Sequence, residues 1–273
     1  ASNLNSDYIY SRGRIYLTGG VLSHPINGYG FITISEDTVS NVSLVNSSVT
    51  INAGKSLTIV ADNLNTMPYI NNGTLFLNGG YLRHDIRDGG DVRNIGTLET
   101  TANHLNADFI NNGILNVTSG TLTNNITGNG TVTLANVSLG ANNIQISNST
   151  TNINGTLQLN INQLAEDSSS YSGGKLYVMG NLNINPNSEL QLVIAPSLLA
   201  DHQATGELEL IYVSGTRSGD FGQLSANNMY NIQKSGNKYI ISKGSSIKDI
   251  IQSVEDNENF INAGKAWNNA IFN

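Results

Sequence analysis

No cysteine occurs anywhere in the 273 residues, which excludes a disulfide framework, a thiolate metal site and a thiol nucleophile. Charge is scarce as well: Asp, Glu, Lys and Arg make up 12% of the chain. The 13 basic residues are scattered along a chain of net charge −7, which argues against a nucleic-acid or anionic-membrane surface, since both need clustered Lys and Arg. No apolar run is long enough for a membrane-spanning helix. G-x-S-x-G, H-E-x-x-H, P-loop and G-x-G-x-x-G patterns are all missing, which removes support from the hydrolases and nucleotide enzymes that carry them. His24, His84, His104 and His202 lie in unrelated contexts and do not read as a metal set. No cofactor is implied.

Asn, Thr, Ser and Gly fill the space left by charge, and they recur in a pattern. FINNGILNVTSG at 109–120 echoes YINNGTLFLNGG at 69–80. A turn residue followed by alternating apolar positions begins at Gly13, Gly30, Lys55, Gly73, Gly96, Gly113, Gly130, Gly155, Gly174 and Ser188. The spacing averages about 19 residues, near the one-turn period of a β-solenoid. Within each copy apolar residues alternate with Thr, Asn, Tyr or Arg, the period of a strand with one buried face. Pairs such as Ile15/Leu17, Leu57/Ile59, Leu75/Leu77, Leu115/Val117 and Leu157/Leu159 are then expected to stack along one inner wall, and the echo to be two turns. Asn72-Gly73, Asn112-Gly113, Asn129-Gly130 and Asn154-Gly155 are expected to turn corners with positive φ. Stacked Asn side chains can hydrogen-bond from coil to coil at such corners. A series of ordinary hairpins is the alternative reading of Asn-Gly steps, but its turns would be closer and more even.

The rhythm breaks after residue 207. LELIYVSG, GDFGQL and MYNIQKSGNKYIISK follow, with Tyr230–Gln233 and Lys238–Ser242 flanking a Ser-Gly-Asn turn as a hairpin. Such a block would cover the strand edges of the last coil. Ser246 as N-cap with Ile247, Ile250, Ile251 and Val254 on one face predicts a helix. The expected organisation is therefore a solenoid over 1–207, a hairpin cap over 208–243 and a helical segment over 244–273. Ala1 without an initiator methionine, and an end in WNNAIFN, suggest a processed product or a fragment of something longer.

Two sets of residues stand out as contacts. RHDIRDGGDVR at 83–93 brings Arg83, Asp85, Arg87, Asp88, Asp91 and Arg93 together. The cluster could supply paired carboxylates or a weak calcium loop, but its charges nearly balance, as in a loop that protrudes between coils and neutralises itself; a functional role would sooner be contact with a partner than cutting of a substrate. Tyr16 and Tyr177 fall at outward positions, where tyrosine serves either a binding surface or the strand itself.

From Gly13 to Lys243 the chain resembles the passenger domains of Gram-negative type V autotransporters: NNGTLxL-like coils, no cysteine, an acidic balance, and a closing block of LELIYVSG, GDFGQL and YNIQKSGNKYIIS. NAGKAWNNAIFN at 262–273 is similar to a stretch in the vacuolating-cytotoxin family of Helicobacter autotransporters. The resemblance implies an all-β, right-handed parallel β-helix, secreted or held at the cell surface, with an outer-membrane β-barrel elsewhere in the same precursor. It implies a non-catalytic adhesin or host-interaction scaffold that binds a host-cell surface receptor or glycan. The alternative it offers is the receptor-binding and self-associating part of a vacuolating-cytotoxin-like toxin. A polysaccharide-degrading β-helix enzyme, using acids such as Asp85 and Asp88, is the third reading.

Overall fold

The computed structural model describes residues 8–45, 48–64, 69–71, 74–82, 91–105, 109–164, 171–195, 207–227 and 230–243. The sequence alternation becomes short strands with alternating burial. In Ser56–Ile59, Thr74–Leu77, Thr131–Leu134 and Lys175–Val178 every second side chain is buried. The chain lays these strands down in three walls in turn. Phe109–Asn111, Ile114–Val117 and Gly120–Thr121, for example, belong to a 12-stranded, a 7-stranded and a 6-stranded sheet respectively. We call these the first, second and third walls.

Strands within a wall come from successive coils and pair in parallel. In the first wall the register runs Leu57↔Leu75, Leu75↔Val92, Val92↔Phe109 and Phe109↔Ile126. Parallel neighbours need a long crossover, and here the other two walls provide it. The inward residues of all three walls form one core cluster that runs the length of the stack. The protein is thus all-β and solenoid-like, with long parallel sheets. Helical structure among the described residues is limited to two 3-10 turns, Ala61–Asn63 and Ala102–His104. The helix expected after Ser246 lies outside the described residues.

Three expectations need correction. The apolar pairs do not share one wall: Leu57/Ile59 and Leu75/Leu77 face in from the first, Leu115/Val117 and Val132/Leu134 from the second, and Leu157/Leu159 from the third. Every corner asks for the same turn-then-strand chemistry, so the motif marks corners rather than coils. The echo is for that reason out of phase. Thr74–Leu77 stacks in the first wall with Phe109–Asn111, through Asp91–Asn94, whereas its look-alike Ile114–Val117 stands in the second.

The glycines of the Asn-Gly steps also act differently from expectation. Gly155 has φ 123°, but Gly113 and Gly130 do not belong to the positive-φ group. Their constraint is contact. A Cβ on Gly113 would lie 2.1 Å from the Gly96 carbonyl oxygen, and one on Gly130 would lie 2.1 Å from that of Gly113.

Finally, pairing does not change at residue 208. Ile211–Val213, Arg217–Ser218 and Gln223–Ala226 each add a parallel strand to a wall, so one more coil follows the expected boundary. Antiparallel pairing joins Glu207–Leu208 and Tyr230–Ser235 to Lys238–Lys243. This small sheet contributes Leu208, Tyr230, Tyr239 and Ile241 to the core. Tyr239 is fully buried, and the Arg217 guanidinium donates to its hydroxyl at 2.9 Å.

Asparagine ties the coils together. The buried Asn94 amide donates to the Asn111 side-chain oxygen at 2.8 Å, Asn111 donates to the Thr131 carbonyl at 2.9 Å, and Asn148 donates to the Asn111 carbonyl at 2.8 Å. Outer corners repeat the device with exposed partners, as where Asn136 accepts from the Thr156 amide and Asn181 from that of Thr216. A neutral amide offers a donor and an acceptor at once, so it satisfies neighbouring backbone without adding charge to a narrow core.

Candidate functional site

Coil length sets up the site. Hydrogen bonds between adjacent early coils join residues 17 to 20 apart in sequence, whereas near the end of the stack they join residues 31 to 38 apart. Part of the extra chain forms a flap. The strand Thr156–Leu164 begins as a member of the third wall, where Thr156–Ile161 pairs in parallel with Glu189–Ile194. Its far end continues past the wall, and Ile161–Leu164 pairs antiparallel with Tyr171–Gly173. Gly173 permits the return: its φ is 153°, and a Cβ there would stand 2.1 Å from the Asn160 carbonyl oxygen. Gly174 then donates its N–H to that carbonyl at 2.8 Å, and the chain enters the first wall at Lys175–Val178.

Between the flap and this strand lies a groove of about 620 Å3, lined among others by Asn143, Asn162, Tyr171, Lys175, Tyr177 and Glu209. That volume falls within the range of about 300–1,000 Å3 typical of ligand sites. The Lys175 ammonium sits 2.6 Å from a Glu209 carboxylate oxygen and 5.0 Å from the centre of the Tyr177 ring. Tyr177 is followed one strand along by Tyr212, its partner in register, with ring centres 6.1 Å apart and planes tilted by 47°. Tyr171 donates its hydroxyl to the Gly174 carbonyl at 3.2 Å.

The groove therefore presents the Tyr171 and Tyr177 side chains, exposed amides and a neutralised charge pair, with Tyr212 beside it on the neighbouring strand. Among the described residues that line it, the carboxylate of Glu209 already holds a lysine, an arrangement suited to contact rather than proton transfer, which needs an acid and a base free to reach the reacting atoms.

Burial raises the Tyr171 phenol above its ordinary value of 10.0, chiefly through desolvation, and desolvation likewise raises Tyr239 despite the opposing Arg217. Both groups hold their protons more tightly folded than unfolded, so the unfolded chain loses them first. Stability is expected to be insensitive to these groups below pH 10 and to fall as pH rises beyond it. Chemical denaturation between pH 8 and 11 checks this, and Tyr171→Phe should flatten part of the decline.

Of the residues singled out from sequence, Tyr177 stands in the groove. Tyr16 is exposed on the first described coil, paired with Thr33, and is not brought near it. Arg83, Asp85, Arg87 and Asp88 lie outside the described residues. Asp91 and Arg93 belong to the first-wall strand Asp91–Asn94, where Arg93 stands between Phe76 and Ile110. These two charged residues of the expected loop are therefore part of a wall strand. Sequence reading missed Tyr212, Lys175 and Glu209. A signal was present: KLYV at 175–178 and LIYV at 210–213 place a tyrosine at the same point of one strand pattern. Assigning the second copy to the cap hid the match.

Comparison of the chain with protein-family models, with curated proteins and with solved structures finds no match.

Proposed function

We propose that the chain is a passenger region of a type V autotransporter. On this reading it is a right-handed parallel β-helix, secreted or displayed at the bacterial surface, that serves as a non-catalytic adhesin or host-interaction scaffold. The outer-membrane β-barrel of the same precursor would export it. The observation that carries the reading is the groove at Tyr177, flanked by the flap. Most of the rod is tightly wound, and extra chain is spent where two tyrosines and a lysine face outward; in solenoids such insertions mark the binding face. The test is saturable binding of the labelled chain to host epithelial cells, against a size-matched solenoid. Tyr177→Ala is expected to weaken binding several-fold, and binding equal to the control solenoid contradicts the reading.

A second reading, the self-associating part of a vacuolating-cytotoxin-like toxin, draws on the opposite end. Tyr8, Tyr10, Tyr16, Val21, Tyr29, Phe31, Val39 and Val45 supply most of the exposed large apolar side chains among the described residues. Among the described residues the first strands, Ile9–Ser11 and Arg14–Leu22, each pair with a later coil, and a cluster of exposed apolar side chains on such strands favours association. Sedimentation velocity tests it: this reading predicts larger species as concentration rises and their loss in Tyr29→Ser/Phe31→Ser. A monomer at every concentration contradicts it.

A further inference from the structure

We infer that the groove at Tyr177 and the wall beside it bind an uncharged carbohydrate segment, with Tyr177 in the groove and Tyr212 one strand further along the wall as the stacking surface, and the amides of Asn143 and Asn162 as the hydrogen-bonding rim. The inference rests on the host-interaction reading and names the ligand class of the same site.

Charge is the first argument. Lys175 and Glu209 cancel each other at 2.6 Å, so among the described lining residues an anionic or cationic ligand meets no uncompensated partner. Displacing either member would leave its counterpart unpaired. The net charge of −7 further disfavours an anion.

Shape and surface chemistry are the second. A sugar ring has an apolar C–H face and a rim of hydroxyls that both donate and accept. Tyr177 and Tyr212 are consecutive in register along the wall, which makes a strip rather than a single platform. Lys175 stands 5.0 Å over the Tyr177 ring and Tyr212 is 38% exposed, so the more open of the two rings is that of Tyr212. Asn143 and Asn162 line the same groove and are exposed. Each amide matches a hydroxyl as donor and as acceptor. The flap closes one side, so a segment lying along the strip is held from beneath and from the flank.

A printed array of neutral, sialylated and sulfated oligosaccharides, read with the labelled chain and followed by calorimetry on the best neutral hit, tests the inference. Neutral glycans should dominate. Tyr177→Ala and Tyr212→Ala should each weaken binding about tenfold, the scale of one lost aromatic contact. Glu209→Gln leaves Lys175 without its partner and should shift preference toward sialylated or sulfated glycans, a change that mere loosening of the groove would not cause. Unchanged melting temperatures keep the variants interpretable.

Binding confined to acidic glycans, no binding to any glycan, capture of an extended peptide instead, or equal binding by the Tyr177→Ala/Tyr212→Ala chain each overturns it. Cell binding without glycan binding leaves the host-interaction reading standing and sinks this one. Glycan binding without cell binding does the reverse.

Discussion

Gly113→Val is expected to destabilise the protein by about 4 kcal/mol, above the usual 1–3 kcal/mol of overpacking because the obstacle is backbone. The Cβ would meet the Gly96 carbonyl oxygen at 2.1 Å, and neither strand can move away without breaking the ladder that joins Thr97–Thr100 to Ile114–Val117. The column continues on both sides, since Gly96 lies against Gly79 and Gly130 against Gly113. Gly13→Ala is the internal control. It occupies the same motif position in GRIYL, yet a Cβ there meets nothing within 4 Å, so its effect should stay within about 0.5 kcal/mol. Urea denaturation of both variants checks the pair, and equal losses would contradict coil-on-coil contact as the reason for glycine at these corners.

Asn111→Asp is expected to cost about 4 kcal/mol at neutral pH, the equivalent of a carboxyl shifted upward by about three pH units in a fully buried site. Asn111 is wholly buried, receives the Asn94 amide and donates to the Thr131 carbonyl. A carboxylate in its place could still accept from Asn94 but would face the Thr131 oxygen without a proton to offer. The neutral acid would recover that donor. Because the folded form would bind its proton more tightly than the unfolded form, the deficit should be small below about pH 4 and grow as pH rises through the folded value. Asn111→Ala, which leaves no titrating group, should show a deficit of about 2 kcal/mol independent of pH. A pH-independent loss in the Asp variant would contradict the ladder geometry.

Much of this architecture was legible because strand alternation and corner chemistry are local. Leu115 and Val117 read as inward from their neighbours alone, and both are buried. The abundance of asparagine likewise pointed to inter-coil bonds, which Asn94, Asn111 and Asn148 make. Phase was not legible. Three walls share one turn-then-strand grammar, so GTLFL and GILNV look equivalent although they stand in different walls. The groove was half visible. Tyr177 stood out as an outward tyrosine, but its partners Tyr212 and Glu209 arrive from more than thirty residues away. The distance between them is fixed by register, a quantity that no short stretch of sequence contains.

Groove, glycine column and asparagine ladder all depend on the parallel register of the first wall. Since the chain carries no cysteine, Thr58→Cys/Ser147→Cys admits two spin labels without background. The register places these positions five strand spacings apart, through Phe76, Arg93, Ile110 and Thr127. Electron–electron dipolar spectroscopy should therefore show a single narrow distance near about 24 Å. A broad distribution, or a peak beyond about 35 Å, would mean that these strands do not stack as successive coils.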